Sequence, residues 1–309
     1  MSAACNANQR ACPVCQTDHH LARLYLEDNI DPEKLSSYSF ASRKTPEFMT
    51  HRLVQCPECD LVYVSQPPAE DELLNAYHVA AYDSADEAND AASAYMQAMY
   101  AFLQNIGNKQ RALEIGAGTG IFLELLQNAG FHEVIGVEPS KAAIAAAAPY
   151  RRAWILEGKF DERDFESQSF DLICCFMTLE HVRDPKLLAD AAFRLLRPGG
   201  AFITVTHNYR SIVNRLLGRR SPIIDIEHMQ LFSDKSMYYL FGVAGFESVV
   251  TKTFVNTYTV SYWLRLTPLP LRAKSLVARI IRRLHWERWK LGLNVGNAIT
   301  VGFKPAECN

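Results

Sequence analysis

The chain has 309 residues, a formal net charge of −2, and 49% hydrophobic against 21% charged residues. That balance excludes an intrinsically disordered chain and a strongly basic nucleic-acid binder, and the length allows one large domain plus a smaller module. It contains no run of about eighteen apolar residues, and the opening MSAACNANQR lacks the apolar centre of an export signal, so a cytoplasmic protein is expected.

Eight cysteines without an export signal point to metal or free thiols rather than disulfides. Two C-P-x-C pairs, Cys12 with Cys15 and Cys56 with Cys59, each suit a tight turn that aims two thiolates at one ion. Together they predict a tetrahedral four-cysteine structural zinc site, unbound thiols being the alternative; closed coordination leaves that ion no catalytic position. His19, His20 and His51 are spare ligands. Residues 61–64 read as a strand ended by Pro67-Pro68, and residues 70–82 as a helix and then a loop carrying Tyr82. Residues 84–90 are acidic and poor in apolar side chains, which predicts a flexible connection. The boundary falls there, with a zinc-binding and lid domain over 1–83 and the main domain over 84–309. Tyr95, Met99, Phe102, Leu103 and Ile106 then recur at helical spacing.

Residues 111–140, RALEIGAGTGIFLELLQNAGFHEVIGVEPS, organise the rest. An apolar run over 112–115 suits a buried strand, Gly116, Gly118 and Gly120 a turn, and Ile121, Phe122, Leu125, Leu126 and Ala129 one face of a helix that stops at Gly130. A second strand over 134–137 ends in Glu138. Glycines let backbone approach a ligand closely, and an acid after the second strand accepts hydrogen bonds from ribose hydroxyls. A dinucleotide site has one more residue between the last two glycines. Glu114 beside the turn would repel a pyrophosphate and attract a sulfonium or α-amino group. Strands over 154–156, 170–176, 201–206, 246–254 and 297–303, with helices over 140–148, 184–196 and 233–244, continue the α/β pattern. Between the last two strands, residues 254–294 form a basic, aromatic helical insertion. Its helix over 272–291 carries seven Lys/Arg against Glu287, with Trp286 and Trp289.

E-I-G-A-G-T-G followed by G-V-E-P-S, then S-F-D-L-I, M-T-L-E-H-V and L-L-R-P-G-G, resembles the class I S-adenosylmethionine-dependent methyltransferases from about residue 95 to 253. The resemblance implies a Rossmann-like α/β fold, a seven-stranded sheet with helices on both faces, beside the small N-terminal zinc-binding domain. It implies S-adenosylmethionine held by Glu114, Gly116, Ala117, Gly118, Gly120, Glu138 and Pro139. Phe160 and Asp161 would border the adenine, and Met177 the cleft; a core role for Phe160 is the alternative. His181 either takes part in chemistry or shapes its loop. D-I-E-H-M-Q-L-F over 225–232 resembles a segment of sugar and small-molecule methyltransferases, which makes His228 with Glu227 a general base or a brace for the next helix. Tyr82 is part of a lid or packs one domain on the other.

A four-cysteine module joined to such a core resembles the zinc-containing methyltransferases of deoxysugar biosynthesis, which act on nucleotide-linked sugars. Those enzymes carry a further C-terminal domain for which this chain leaves no room, so O-methylation is expected at least as readily as C-methylation. The expected acceptor is a nucleotide sugar or glycan precursor. A lipid-linked or quinone-type acceptor at a membrane surface is the alternative. RNA base methylation is disfavoured by the scarcity of basic–aromatic interleaving near the N-terminus, and no specific nucleic-acid partner is expected. The basic helix is read as packing on its own domain or on a second subunit in a homodimer, the competing use being a peripheral membrane contact through 262–291.

Overall fold

The computed structural model describes residues 9–41, 44–82 and 85–306. The expected boundary between residues 83 and 84 lies outside the described residues.

Strands β1 (Arg23–Leu26), β2 (Leu53–Gln55) and β3 (Val62–Val64) make an antiparallel sheet flanked by the two cysteine turns. Helix α1 (Glu70–Val79) follows, its first turn occupied by Glu70, Asp71 and Glu72, the charges a helix N-terminus favours. Helix α2 (Ala85–Leu103) corrects the expected flexible connection. Asp86 and Glu87 are acidic because they sit in a helix N-terminal turn, and Glu87 and Asp90 pair with Arg265 at 3.5 Å and Lys290 at 2.6 Å.

The main domain opens with β4 (Arg111–Ile115), α3 (Ile121–Asn128) and β5 (Glu133–Glu138). The helix expected over 140–148 is two: α4 (Lys141–Ala146), capped by Ser140, and α5 (Pro149–Arg152), begun by a proline that cannot donate into a preceding turn. Then come β6 (Ile155–Glu157), β7 (Phe170–Phe176), α6 (Pro185–Leu195), β8 (Leu196–His207) and α7 (Ile212–Leu217). The R-P-G-G segment lies within the bounds of β8 but bulges from it: pairing with β7 jumps from Leu196 to Ala201, and Gly199 has a φ of 78°. Arg197 reaches across to Asp171 at 3.0 Å, and Asp171 also accepts the backbone N–H groups of Gln110 and Arg111.

The remaining elements are β9 (Gln230–Leu231), α8 (Asp234–Val243), β10 (Glu247–Thr253), β11 (Asn256–Thr259), α9 (Val260–Leu266), α10 (Leu271–Arg283), β12 (Lys290–Leu293) and β13 (Asn297–Phe303). The insertion is thus two helices carried on a β11–β12 hairpin, not one long helix. Leu284 caps α10, His285 has a positive φ of 57°, and the Trp286 N–H returns to the Ile281 carbonyl, a left-handed stop that releases residues 290–293 to pair as a strand.

Among the described residues, seven strands form the central sheet in the order β10-β13-β8-β7-β4-β5-β6, with β13 alone antiparallel to its neighbours. Alternate residues face opposite ways. Leu113, Ile115, Ile173 and Cys175 pack with α6 and α8, whereas Ala112, Leu172 and Cys174 pack with α2 and α3. Both faces are therefore covered, which is why β7, Phe-Asp-Leu-Ile-Cys-Cys-Phe, is buried throughout and apolar but for Asp171. Cys12, Cys56, Leu61 and Tyr63 join the α6–α8 side, so the N-terminal module shares a core with the main domain. Its sheet gains its fourth strand from the same place: β9 pairs antiparallel with β3.

Candidate active site and cysteine cluster

Chain order starts at the central β4, moves outward through β5 and β6, then crosses to β7, so the β4–β7 junction is the switch point where open α/β sheets bind ligands. A cavity of about 1030 Å³ lies there, walled by the carboxyl ends of β4, β5, β7 and β8, by α1, and by the insertion.

At one end, the glycine turn bends under the cavity. Gly116, Gly118 and Gly120 all have positive φ, and a Cβ on Gly116 would lie 2.1 Å from the Thr178 hydroxyl, so no other residue fits there. Glu138 is buried, accepting the Gly118 N–H at 2.7 Å on one oxygen and the Ser140 N–H at 2.8 Å on the other. Burial raises its pKa against those two bonds. Each oxygen keeps an acceptor direction beyond the one used, the capacity a pair of ribose hydroxyls needs. Glu114, buried on β4, Ala117, Pro139, Phe160, Asp161 and Met177 also line the cavity. Gly120 does not; it caps α3 in the left-handed conformation. The Asp161 carboxylate is engaged by Arg163, and Phe160 stacks on Phe165. Met177 adopts φ 50° where β7 leaves the sheet.

The other end is polar and crowded. Glu180, fully buried, accepts the His207 backbone N–H at 2.8 Å and lies 3.1 Å from its Nδ1. Burial opposes ionisation, but the imidazoles of His207, His228 and His181 outweigh it and hold Glu180 down at about 2. Burial likewise works against a charged His207, yet Glu180 raises it above the ordinary histidine range. His228 stacks on His181 with ring centroids 4.9 Å apart and meets His207 edge-on at 5.5 Å; its Nδ1 is committed to the Ile223 carbonyl at 2.8 Å. Burial, reinforced by His181, pushes His228 down to about 3. His181 is lowered too, by burial, and its Nδ1 bonds the Glu227 carbonyl. The Glu227 carboxyl is driven up to about 8, chiefly by burial with Lys44 opposing. Lys44 itself is buried between Glu47 and Asp225, each at 2.7 Å.

Helix α1 spans both ends. The Tyr77 hydroxyl donates to the Glu227 carbonyl and packs edge-on against His181, while His78 Nδ1 lies 3.1 Å from the Pro139 carbonyl. Tyr82, expected either in a lid or packed between the domains, lines the cavity. Glu180, His207, Tyr77 and Lys44 were not singled out from sequence. For the first two a signal existed: an acid just beyond one parallel strand and a histidine closing its neighbour converge at the same sheet edge. Lys44 and Tyr77 carried none, because their positions depend on how the N-terminal module docks.

The four expected metal ligands converge. Cys12 and Cys59 lie with sulfurs 3.5 Å apart, Cys15 and Cys56 3.4 Å apart, and all four sulfurs fall within 4.8 Å of one another. The two turns are copies: the N–H of Cys12 bonds Thr17 and that of Gln16 returns to Cys12, as Cys56 bonds Leu61 and Asp60 returns to Cys56. Gln16 and Asp60 both have positive φ, 61° and 65°. A tetrahedral ion with bonds of about 2.3 Å needs sulfurs about 3.8 Å apart, so the set fits zinc with small adjustment. The hydrogen bond between Cys12 and Cys59 lowers the Cys12 thiol and raises that of Cys59, while burial raises Cys56.

The methyltransferase domain family matches residues 87–252, more than half of the chain. This protein belongs to the S-adenosylmethionine-dependent methyltransferases. The methyltransferase is 31% identical over 121 residues to a ubiquinone biosynthesis O-methyltransferase of Hahella chejuensis, covering 35% of this chain and 49% of the relative. A second protein of that name from Aromatoleum aromaticum is 35% identical over 121 residues, covering 35% and 50%. The chain thus spans about half the length of the curated relatives it matches. An S-adenosylmethionine-dependent methyltransferase of Thermotoga maritima superposes with a TM-score of 0.47 at 23% identity, over 71% of this chain and 91% of that one.

Proposed function

We propose that this methyltransferase methylates a hydroxyl on a small acceptor whose body is apolar, of the lipid-linked or quinone type, with His207 as general base. The observation that carries this reading is the pairing of half-buried His207 with fully buried Glu180 in a cavity that Tyr258, Tyr262, Trp263, Leu264 and Leu266 also line. A base works best with a pKa near the operating pH. His228, pushed to about 3, is too weak, whereas His207 is raised towards that range. Its Nδ1 faces Glu180, so Nε2 takes the acceptor proton while Glu180 steadies the imidazolium. His228 then acts as a wall and brace, fixed by Ile223. Glu138 and the glycine turn hold S-adenosylmethionine, which supplies an electrophilic methyl group, and Glu114 favours the positive charge at that end. Cys12, Cys15, Cys56 and Cys59 hold a structural zinc ion that takes no part in the transfer. The ubiquinone-pathway names of the matched relatives support the acceptor class.

A nucleotide-sugar acceptor is the second reading, favoured by the four-cysteine cluster beside the Glu227-His228 segment. Methyl-labelled S-adenosylmethionine incubated with a cell extract, then separated into organic-soluble, nucleotide-sugar and RNA fractions, tests both. Label in the organic-soluble fraction, reduced at least ~100-fold in turnover by His207→Gln with cofactor binding intact, is the expected result. Label confined to nucleotide sugars selects the second reading, and label confined to RNA overturns both.

A further inference from the structure

Two elements distant in sequence meet at the rim of the cavity, and both turn apolar side chains outward among arginines. The first is the insertion. On α10, Leu276, Ile280 and Leu284 follow one another at intervals of four, forming one stripe that is about half exposed, while Val277 and Ile281 face inward. Arg272, Arg279 and Arg283 recur at intervals of seven and four and run along the outer side of that stripe. Trp286 and Trp289 stand exposed just beyond, ring centroids 5.7 Å apart. The second element is α7, where Ile212 is 76% and Leu216 82% exposed, followed by exposed Arg215, Arg219 and Arg220.

The bases of the two elements touch. Asn208, before α7, donates its N–H to the Gly296 carbonyl at 2.8 Å, just past β12. A Cβ on Gly296 would collide with Ser211, the cap of α7, at 2.2 Å. The inner sides of both elements, Val213 and Leu217 of α7 with Ile281 and Leu293 of the insertion, share the cavity wall.

We propose that this rim docks on an anionic phospholipid bilayer and opens the cavity onto it. An apolar stripe edged by cations, with indoles at its end, matches the layering of a membrane interface, where apolar groups sink to the acyl boundary and cations meet phosphate. Charge complementarity selects the occupant. Between Arg272 and Leu291 stand seven Lys/Arg against Glu287, of which Lys290 is paired with Asp90, and Arg210 to Arg220 includes no acid, although the whole chain is at −2. Each basic residue near an anionic leaflet adds to the attraction. A nucleic acid would engage the arginines and leave Leu276, Ile280, Ile212 and Leu216 in water. Among the described residues no helix is long and apolar enough to cross a membrane, so the contact lies on one surface. The docking rests on the apolar-acceptor reading, since it delivers an acceptor that resides in the bilayer.

The test is co-sedimentation of the full-length protein with vesicles of phosphatidylcholine alone or mixed equally with phosphatidylglycerol, without acceptor. Partitioning at least about tenfold stronger to the anionic vesicles, weakened by salt, is expected. Two variants, Leu276→Glu/Ile280→Glu and Ile212→Glu/Leu216→Glu, each lose tenfold or more of that binding while cofactor affinity and turnover of a short-chain, water-soluble acceptor stay at the wild-type level. Equal partitioning to both vesicle types, unchanged binding by both variants, or a dimer in sedimentation velocity that the same variants dissociate would overturn the proposal. If vesicle binding behaves as expected but organic-soluble acceptors take no label, the acceptor reading fails and the docking stands.

Discussion

At the proposed cofactor end of the cavity, Glu114, the glycine turn and Glu138 come from one strand–turn–helix–strand unit, and the bonds that fix Glu138 run to Gly118 and Ser140 within it. At the proposed acceptor end, the parts arrive from across the chain: Lys44 meets Asp225, Tyr77 meets Glu227, and Glu180 meets His207. A locally built site is rigid as soon as its own unit folds. An end assembled from distant segments is only as well placed as the packing that brings them together, and here that packing includes the cysteine module. Asp60, the residue after Cys59, accepts from Arg210 and Gln55, and its carbonyl accepts from Tyr209 at 2.9 Å, two residues past His207.

The largest effect that would test this contrast is loss of the metal. Cys56→Ser should abolish acceptor turnover and lower the melting temperature by many degrees, since losing a structural metal costs several kcal/mol. Cofactor affinity, measured by calorimetry, should change by less than about tenfold. A zinc-free variant with normal KM for acceptor would break the comparison. Glu138→Ala should do the reverse. Cofactor affinity falls about 10–100-fold, roughly 1.5–3 kcal/mol for hydrogen bonds to a charged group, with the melting temperature near wild type. Equal loss of stability would mean that Glu138 braces the fold and that the two ends are not separable.

The last prediction sharpens the polar end alone. Glu227 is raised to about 8, so between the ordinary carboxylate range and pH 8 the folded protein keeps a proton that the unfolded chain has released. That contribution to stability is present at low pH and is lost as pH rises through the folded value. Glu227→Gln should therefore gain on wild type between about pH 5 and 8, by up to ~1 kcal/mol per pH unit, in denaturant titrations. Parallel curves would mean the carboxyl is as solvated as one at the surface.

The same contrast explains what could be read in advance. The central sheet, the glycine turn and the acid after β5 were legible because a strand or turn signals itself through neighbours, as the buried run of β7 did. The four cysteines were legible because two C-P-x-C pairs repeat one turn, and the structure brings the two turns together. The Glu180–His207 pair was not chosen: nothing local distinguishes a buried glutamate beside a histidine from a loop-shaping one until β7 and β8 are set side by side. Residues 84–90 misled because acidity marks a helix N-terminus as well as a linker, and the helix expected over 272–291 was too long because a positive φ at His285 leaves no mark on residue type.

The pairing of β9 with β3 also constrains the order in which this chain is made. The cysteine module leaves the ribosome first, yet the strand that completes its sheet follows roughly 8–30 s later at ordinary elongation rates. Until then β3 offers an open edge to any other extended segment, and the proposed zinc ion would be the local means of holding the turns in register while the rest of the molecule catches up. Cutting the gene at the junction of module and core would therefore yield two halves with unpaired edges rather than two proteins.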